Sequence, residues 1–90
     1  MSARRRVGVL ISGRGSNMKA LIDAAAAPDY PAAIELVLSN RADAAGLAAA
    51  VGAGVKTLAV PHKNYPDRAA FDAALDRALQ AAGIELVALA

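Results

Sequence analysis

Ninety residues are enough for one small domain, and a chain of this size buries only a little over ~60% of the surface its unfolded form exposes. Hydrophobic residues make up 57% and charged residues 20%, so the chain is no disordered tail; net charge is +2. There is no cysteine and a single histidine, His62, which excludes disulfides and thiolate zinc and leaves no pair of histidines to build a metal site. No apolar run approaches the roughly 20 residues of a membrane span, and the one after the N-terminal cations is too short for a signal peptide. These features predict a soluble, cytoplasmic protein. Aromatic residues are 3% with no tryptophan, which argues against nucleic-acid stacking.

Arg4-Arg5-Arg6 reads as a solvated flank, because a nucleic-acid arm needs a longer basic run. Val7–Ile11 (VGVLI) is a short apolar run without a helical face, as expected of a buried parallel strand. Gly13-Arg14-Gly15 follows, with two residues free to take positive φ. Ser16 and Asn17 are good N-cap types, and Met18, Leu21, Ile22 and Ala25 repeat at helical spacing. Strand, glycine turn and helix make an anion site: the first helical N–H groups and the positive dipole end face the carboxyl end of the strand. Arg14 is expected to face water at the loop tip.

Three ligand sites compete for this shape, beside a strand–helix turn that holds no ligand. A P-loop requires a Lys-Ser or Lys-Thr that is absent here. The dinucleotide fingerprint is matched at Gly13 and Gly15 but has Met18 at its third glycine, and Ser39-Asn40 stands where an acidic residue should meet a ribose. A bare cup for a phosphorylated small molecule fits best.

The first helix is predicted over Asn17–Ala27, broken by Pro28-Asp29-Tyr30-Pro31. Ile34–Ser39 is the second strand. Asp43 is the expected cap of a second helix with Ala44, Leu47, Ala48 and Val51 on its inner face, ended by Gly52 and Gly54. Val55–Val60 is the third strand and Pro61–Pro66 a loop. Asp67 caps a third helix with a stripe of Phe71, Ala74, Leu75, Ala78, Leu79 and Ala82, closed by Gly83. Ile84–Ala90 is the fourth strand. Asn40 and Asp43 read as a turn and a cap, and His62, following the third strand, falls about 10 Å to the side of the cup.

This alternation calls for an α/β, Rossmann-like, doubly wound parallel sheet in the order 3-2-1-4, with ligands at the switch point beside the first strand. The last strand is apolar on both faces with no helix after it, so the fold looks halved and self-association through that strand is expected.

ISGRGSN, LVLSNRADAAGL, VPHKNYPDRAAFDAAL and ELVALA resemble the N-terminal half of the folate-dependent phosphoribosylglycinamide formyltransferases, from about Val7 to Ala90. The resemblance implies formyl transfer from the cosubstrate 10-formyltetrahydrofolate to phosphoribosylglycinamide in de novo purine (IMP) biosynthesis, without metal, nucleic acid or membrane. It implies substrate-phosphate binding at Gly15, Ser16 and Asn17 and cosubstrate binding at Arg68. No catalytic residue falls in this chain, since the family's Asn, His and Asp lie beyond the matched half. Arg68 also sits in the first turn of its helix, where a cation opposes the dipole. Other readings are a nucleotide- or dinucleotide-binding module and a different folate-dependent formyltransferase or deformylase.

Overall fold

The computed structural model of the chain describes residues 4–11 and 15–90. Its elements are β1 (Arg5–Ile11), α1 (Ser16–Ala25), β2 (Ala32–Ser39), α2 (Ala45–Gly52), β3 (Lys56–Ala59), a 3₁₀ turn (His62–Asn64), α3 (Arg68–Ala81) and β4 (Leu86–Leu89). All strand pairs are parallel and the order is β3-β2-β1-β4, the doubly wound arrangement the sequence calls for.

Side-chain alternation divides the core in two. Val7, Val9 and Ile11 of β1 turn to one face, where they pack with Met18 of α1, Val37 of β2 and Ala50 of α2. Leu36, Leu38 and Val60 turn to the other, together with Leu10 and the α3 stripe of Phe71, Ala74, Leu75, Ala78 and Leu79. On β2 the alternation changes phase: Ile34 and Val37 both serve the α1–α2 face. The register shifts at that point, Val7 pairing with Ile34 and Gly8 with Leu36, so Glu35 is the extra residue of a bulge.

The third helix follows its sequence signals closely. Asp67 accepts a hydrogen bond from Ala70 N at 2.8 Å, capping the N-terminus. At the other end Gly83 takes φ +69°, while Gly83 N donates to Gln80 O and Ile84 N to Leu79 O, both at 3.0 Å. That is the paired closure which only a left-handed residue allows, and Gly54 (φ +81°) ends α2 in the same way.

The second helix departs from expectation. Its N-cap is Ala44 and no side chain caps it; Asp43 instead pairs with Arg41, Nε to Oδ1 at 3.3 Å. Its buried residues are Gly46 and Ala50, whereas Val51, expected inside, is 61% exposed and Ala48 is exposed. In a run of alanines every stripe looks alike, and the face that wins is the one with a glycine at the closest approach to α1.

The arginine flank is also no solvated tail. Arg4 donates to Tyr30 O at 3.0 Å, to Ala32 O at 2.7 Å and to Ala25 O, the last carbonyl of α1. Arg6 donates to Ala82 O at 2.8 Å and Gly83 O at 3.0 Å, at the end of α3. Each guanidinium thereby supplies donors and positive charge to a helix C-terminus, whose last carbonyls have no partner inside the helix. Arg5 pairs with Glu85 at 3.0 Å. The Arg6 backbone N–H and then the Arg5 guanidinium hold the Glu85 carboxyl below its ordinary pKa.

Candidate functional site

The site lies over the carboxyl ends of β1, β2 and β4. Gly15 has φ 73° and ψ 32°, the left-handed conformation that lets the chain turn sharply into α1. Space matters as much as φ. A Cβ on Gly15 would stand 3.1 Å from the Gly46 Cα and 3.2 Å from the Met18 Cε. The turn is therefore seated against the start of α2, glycine to glycine, with the fully buried Met18 beneath it. Met18 stands where a dinucleotide fingerprint has its third glycine, and Gly46 supplies the close helix approach instead; the alanine-rich surroundings of Gly46 hid that role in the sequence.

Past Gly15, Ser16 and Asn17 are exposed and open α1. Lys19 N is the first to bond back, to Gly15 O at 2.9 Å. Gly15, the N-cap, offers no capping side chain, and the first turn holds no acidic residue. The leading N–H groups and the positive dipole end are thus presented at the β1 edge. Gly13 and Arg14 lie outside the described residues.

At the carboxyl ends of β1 and β4 is a cavity of about 450 Å³ whose walls include Leu10 and Ile11 from β1, Leu89 and Ala90 at β4, and Asn40, His62, Arg68 and Phe71. Arg68 reaches it from the first turn of α3, where Nε pairs with Asp72 Oδ1 at 3.3 Å, four residues on. That pair offsets the unfavourable dipole, which the sequence reading left without a partner. With the Arg68 side chain 88% exposed, it is worth no more than about 1 kcal/mol. The guanidinium remains accessible above an apolar floor, a combination suited to an aromatic ligand that carries an acidic group.

His62 stands in the wall of this cavity. The 3₁₀ turn folds back over β2, bringing His62 Nδ1 within 3.4 Å of Asn40 O and 3.5 Å of Asn40 Nδ2. The His62 ring also meets the edge of Phe71, centroids 6.4 Å apart at 90°. Asn40 is therefore more than a turn residue: it stands in the wall of the cavity, and its Oδ1 is buried without a hydrogen-bond partner. Ser39, the one fully buried polar residue of the sheet, is satisfied by accepting from Arg41 N at 3.1 Å. Among the described residues no group of His, Asp or Glu side chains is arranged to hold a metal ion. Among the described residues no helix is long and apolar enough to cross a membrane.

A family model described as formyl transferase matches residues 5–90. The chain belongs to the formyl transferase family. It is 47% identical over 87 residues to the human trifunctional purine biosynthetic protein adenosine-3, which covers 97% of this chain and 9% of that protein. The crystal structure of glycinamide ribonucleotide transformylase 1 from Symbiobacterium toebii superposes with a TM-score of 0.92 at 48% identity. That of phosphoribosylglycinamide formyltransferase from Brucella melitensis does so with a TM-score of 0.93 at 42% identity. Each match covers 97% of this chain, and the chain spans 41% and 45% of the two solved chains. The parallel sheet with its central β1 is thus the first half of a formyl transferase fold.

Proposed function

We propose that this chain forms the substrate-phosphate half of a cytoplasmic enzyme that moves a formyl group from 10-formyltetrahydrofolate to the amine of phosphoribosylglycinamide, a step of de novo purine synthesis. The observation that carries the reading is the left-handed Gly15 turn at the N-terminus of α1, on the strand whose Leu10 and Ile11 wall the Arg68 cavity. Similarity to solved structures named glycinamide ribonucleotide transformylase and phosphoribosylglycinamide formyltransferase supports it.

In the reaction the amine nitrogen bonds to the formyl carbon and the bond from that carbon to N10 of the folate breaks. The nitrogen loses a proton and N10 gains one. Backbone N–H groups at Gly15, Ser16 and Asn17 hold the phosphate, with the Ser16 hydroxyl as a further donor. Fixing that end fixes where the amine points, a contribution of orientation rather than of electronics. Arg68 takes an acidic group of the folate, whose aromatic body lies along Leu10, Ile11 and Phe71. Residues 1–90 act as one phosphate-binding unit and carry no group for oxyanion stabilisation or proton transfer, so binding here alone does not lower the barrier. Leu86 and Leu89 of β4, 53% and 80% exposed, are the surface through which the unit associates with other chain, a second copy included.

The test is calorimetric titration of phosphoribosylglycinamide into the full gene product and its Ser16→Asp variant. A carboxylate in the cup opposes the phosphate, and a loss of about 1–3 kcal/mol or more is expected from hydrogen bonds left unmade. Unchanged affinity would sink the cup. Arg68→Ala is expected to raise the KM for the folate at least tenfold and to leave phosphoribosylglycinamide binding within twofold. An unmoved folate KM returns Arg68 to the solvated surface.

A further inference from the structure

A second cavity, of about 510 Å³, shares Asn40 and His62 with the first and is lined by the Asn40–Asp43 loop and the Pro61–Lys63 turn. Its walls carry Arg41, His62 and Lys63, and its sole carboxylate is Asp43. That carboxylate is committed to Arg41, at 3.3 and 3.4 Å. Lys63 is exposed and takes part in none of the ion pairs among the described residues. The loop runs directly into α2, whose N-terminus has neither a capping side chain nor an acidic residue in its first turn. Ammonium, guanidinium and imidazole donors thus line a concave surface next to the N-terminus of α2. Arg41 and Lys63 are like charges, which repel when brought together.

We propose that this cavity is an anion subsite, taking a phosphate or carboxylate group of a small molecule. Lys63 and the outer N–H groups of Arg41 give charge-assisted hydrogen bonds and His62 gives one ring N–H. Asp43 keeps the Arg41 guanidinium in place and raises selectivity for anions small enough to avoid its own oxygens. Because His62 and Asn40 belong to both cavities, an anion here is either free or the acidic end of the molecule held at Arg68. The subsite stands apart from the Gly15 cup and does not depend on the reaction proposed above.

The experiment follows the His62 ring signals of the full gene product by NMR, assigned by their disappearance in His62→Asn. Inorganic phosphate and citrate are titrated in turn against sodium chloride of matched ionic strength. A saturable shift is expected with at least one of the two anions, weakened at least tenfold in Lys63→Glu and unchanged in Ser16→Asp, which disables only the cup. A response no different from that of sodium chloride, or one that Lys63→Glu leaves intact, overturns the subsite. If saturating 10-formyltetrahydrofolate abolishes the shift, the anion belongs to that molecule; if the shift persists, the ligand is a free anion. Either result upholds the subsite. Loss of phosphoribosylglycinamide binding in Ser16→Asp alone reports on the cup, so the two readings fail separately.

Discussion

The two ends of the sheet use arginine in opposite ways. At the amino end, Arg4 and Arg6 donate to backbone carbonyls, Arg6 also pairing with Glu35 at 3.7 Å, and Arg5 pairs with Glu85. At the carboxyl end, Arg41 and Arg68 are held only by a carboxylate two or four residues away, and their outer N–H groups stay accessible. The first arrangement makes structure, because a carbonyl at a helix C-terminus has no other partner in the protein. The second leaves charge available to a ligand. Residue type does not separate the two cases; what lies within reach of the guanidinium does.

The largest effect expected from breaking this contrast is at Arg4. Arg4→Met keeps most of the stem and removes every donor, stranding the Tyr30, Ala25 and Ala32 carbonyls. Denaturant unfolding of the full gene product should show a loss of about 2–3 kcal/mol, the value of charged hydrogen bonds to part-buried groups. Arg41→Met, at the other end, should cost less than about 0.5 kcal/mol, as exposed pairs do. Equal costs would erase the distinction.

Next in size is a pair of aspartates that look alike in sequence. Asp67 caps α3 and Asp43 caps nothing. Asp67→Ala should lower stability by about 1 kcal/mol, and Asp43→Ala by no more than a few tenths. The reverse order in the same unfolding experiment would return Asp43 to a capping role.

The smallest effect is at Glu85, whose pKa is lowered by the Arg6 backbone N–H and the Arg5 guanidinium. Because the folded value is the lower one, the charged form stabilises the fold at neutral pH. That contribution is lost as pH falls through the folded pKa. Thermal unfolding of Glu85→Gln should therefore differ from the parent at pH 7, and the difference should vanish in acid below the carboxylate range. A difference that grows in acid contradicts the assigned sign.

Sheet order, the α3 stripe, the Asp67 cap and the Gly83 stop were legible because each rests on local chemistry: side-chain period, a carboxylate near a free N–H, a residue without Cβ. The switch point, and with it the position of Gly15, Ser16 and Asn17, followed from strand order. Three things were not legible. Arg4 and Arg6 bond to carbonyls, which every residue has and which leave no trace in sequence. The inner face of α2 could not be read because alanine on all sides gives no contrast. The contacts of His62 could not be read because they depend on a loop that folds back, packing its ring against Phe71 and beside Asn40. The last of these hid the shared wall between the two cavities.

β1 lies between β2 and β4, and its tie to Glu85 spans 80 positions of chain. The first of these four strands to be synthesised is thus half-paired until nearly all of these residues have emerged. While it waits, Val7, Val9 and Ile11 have β2, α1 and α2 to shelter one face, while the face of Gly8 and Leu10 has no α3. Contacts so distant in sequence slow folding, since a long loop must close before they contribute. The order of events during translation then favours a compact β1–α1–β2 unit first, with α3 and β4 arriving together to complete the sheet. On that schedule the Arg6 bonds to Ala82 and Gly83 are a late latch, and an amide-exchange pulse during refolding should find the Arg6 end of β1 protected after the Val9 end.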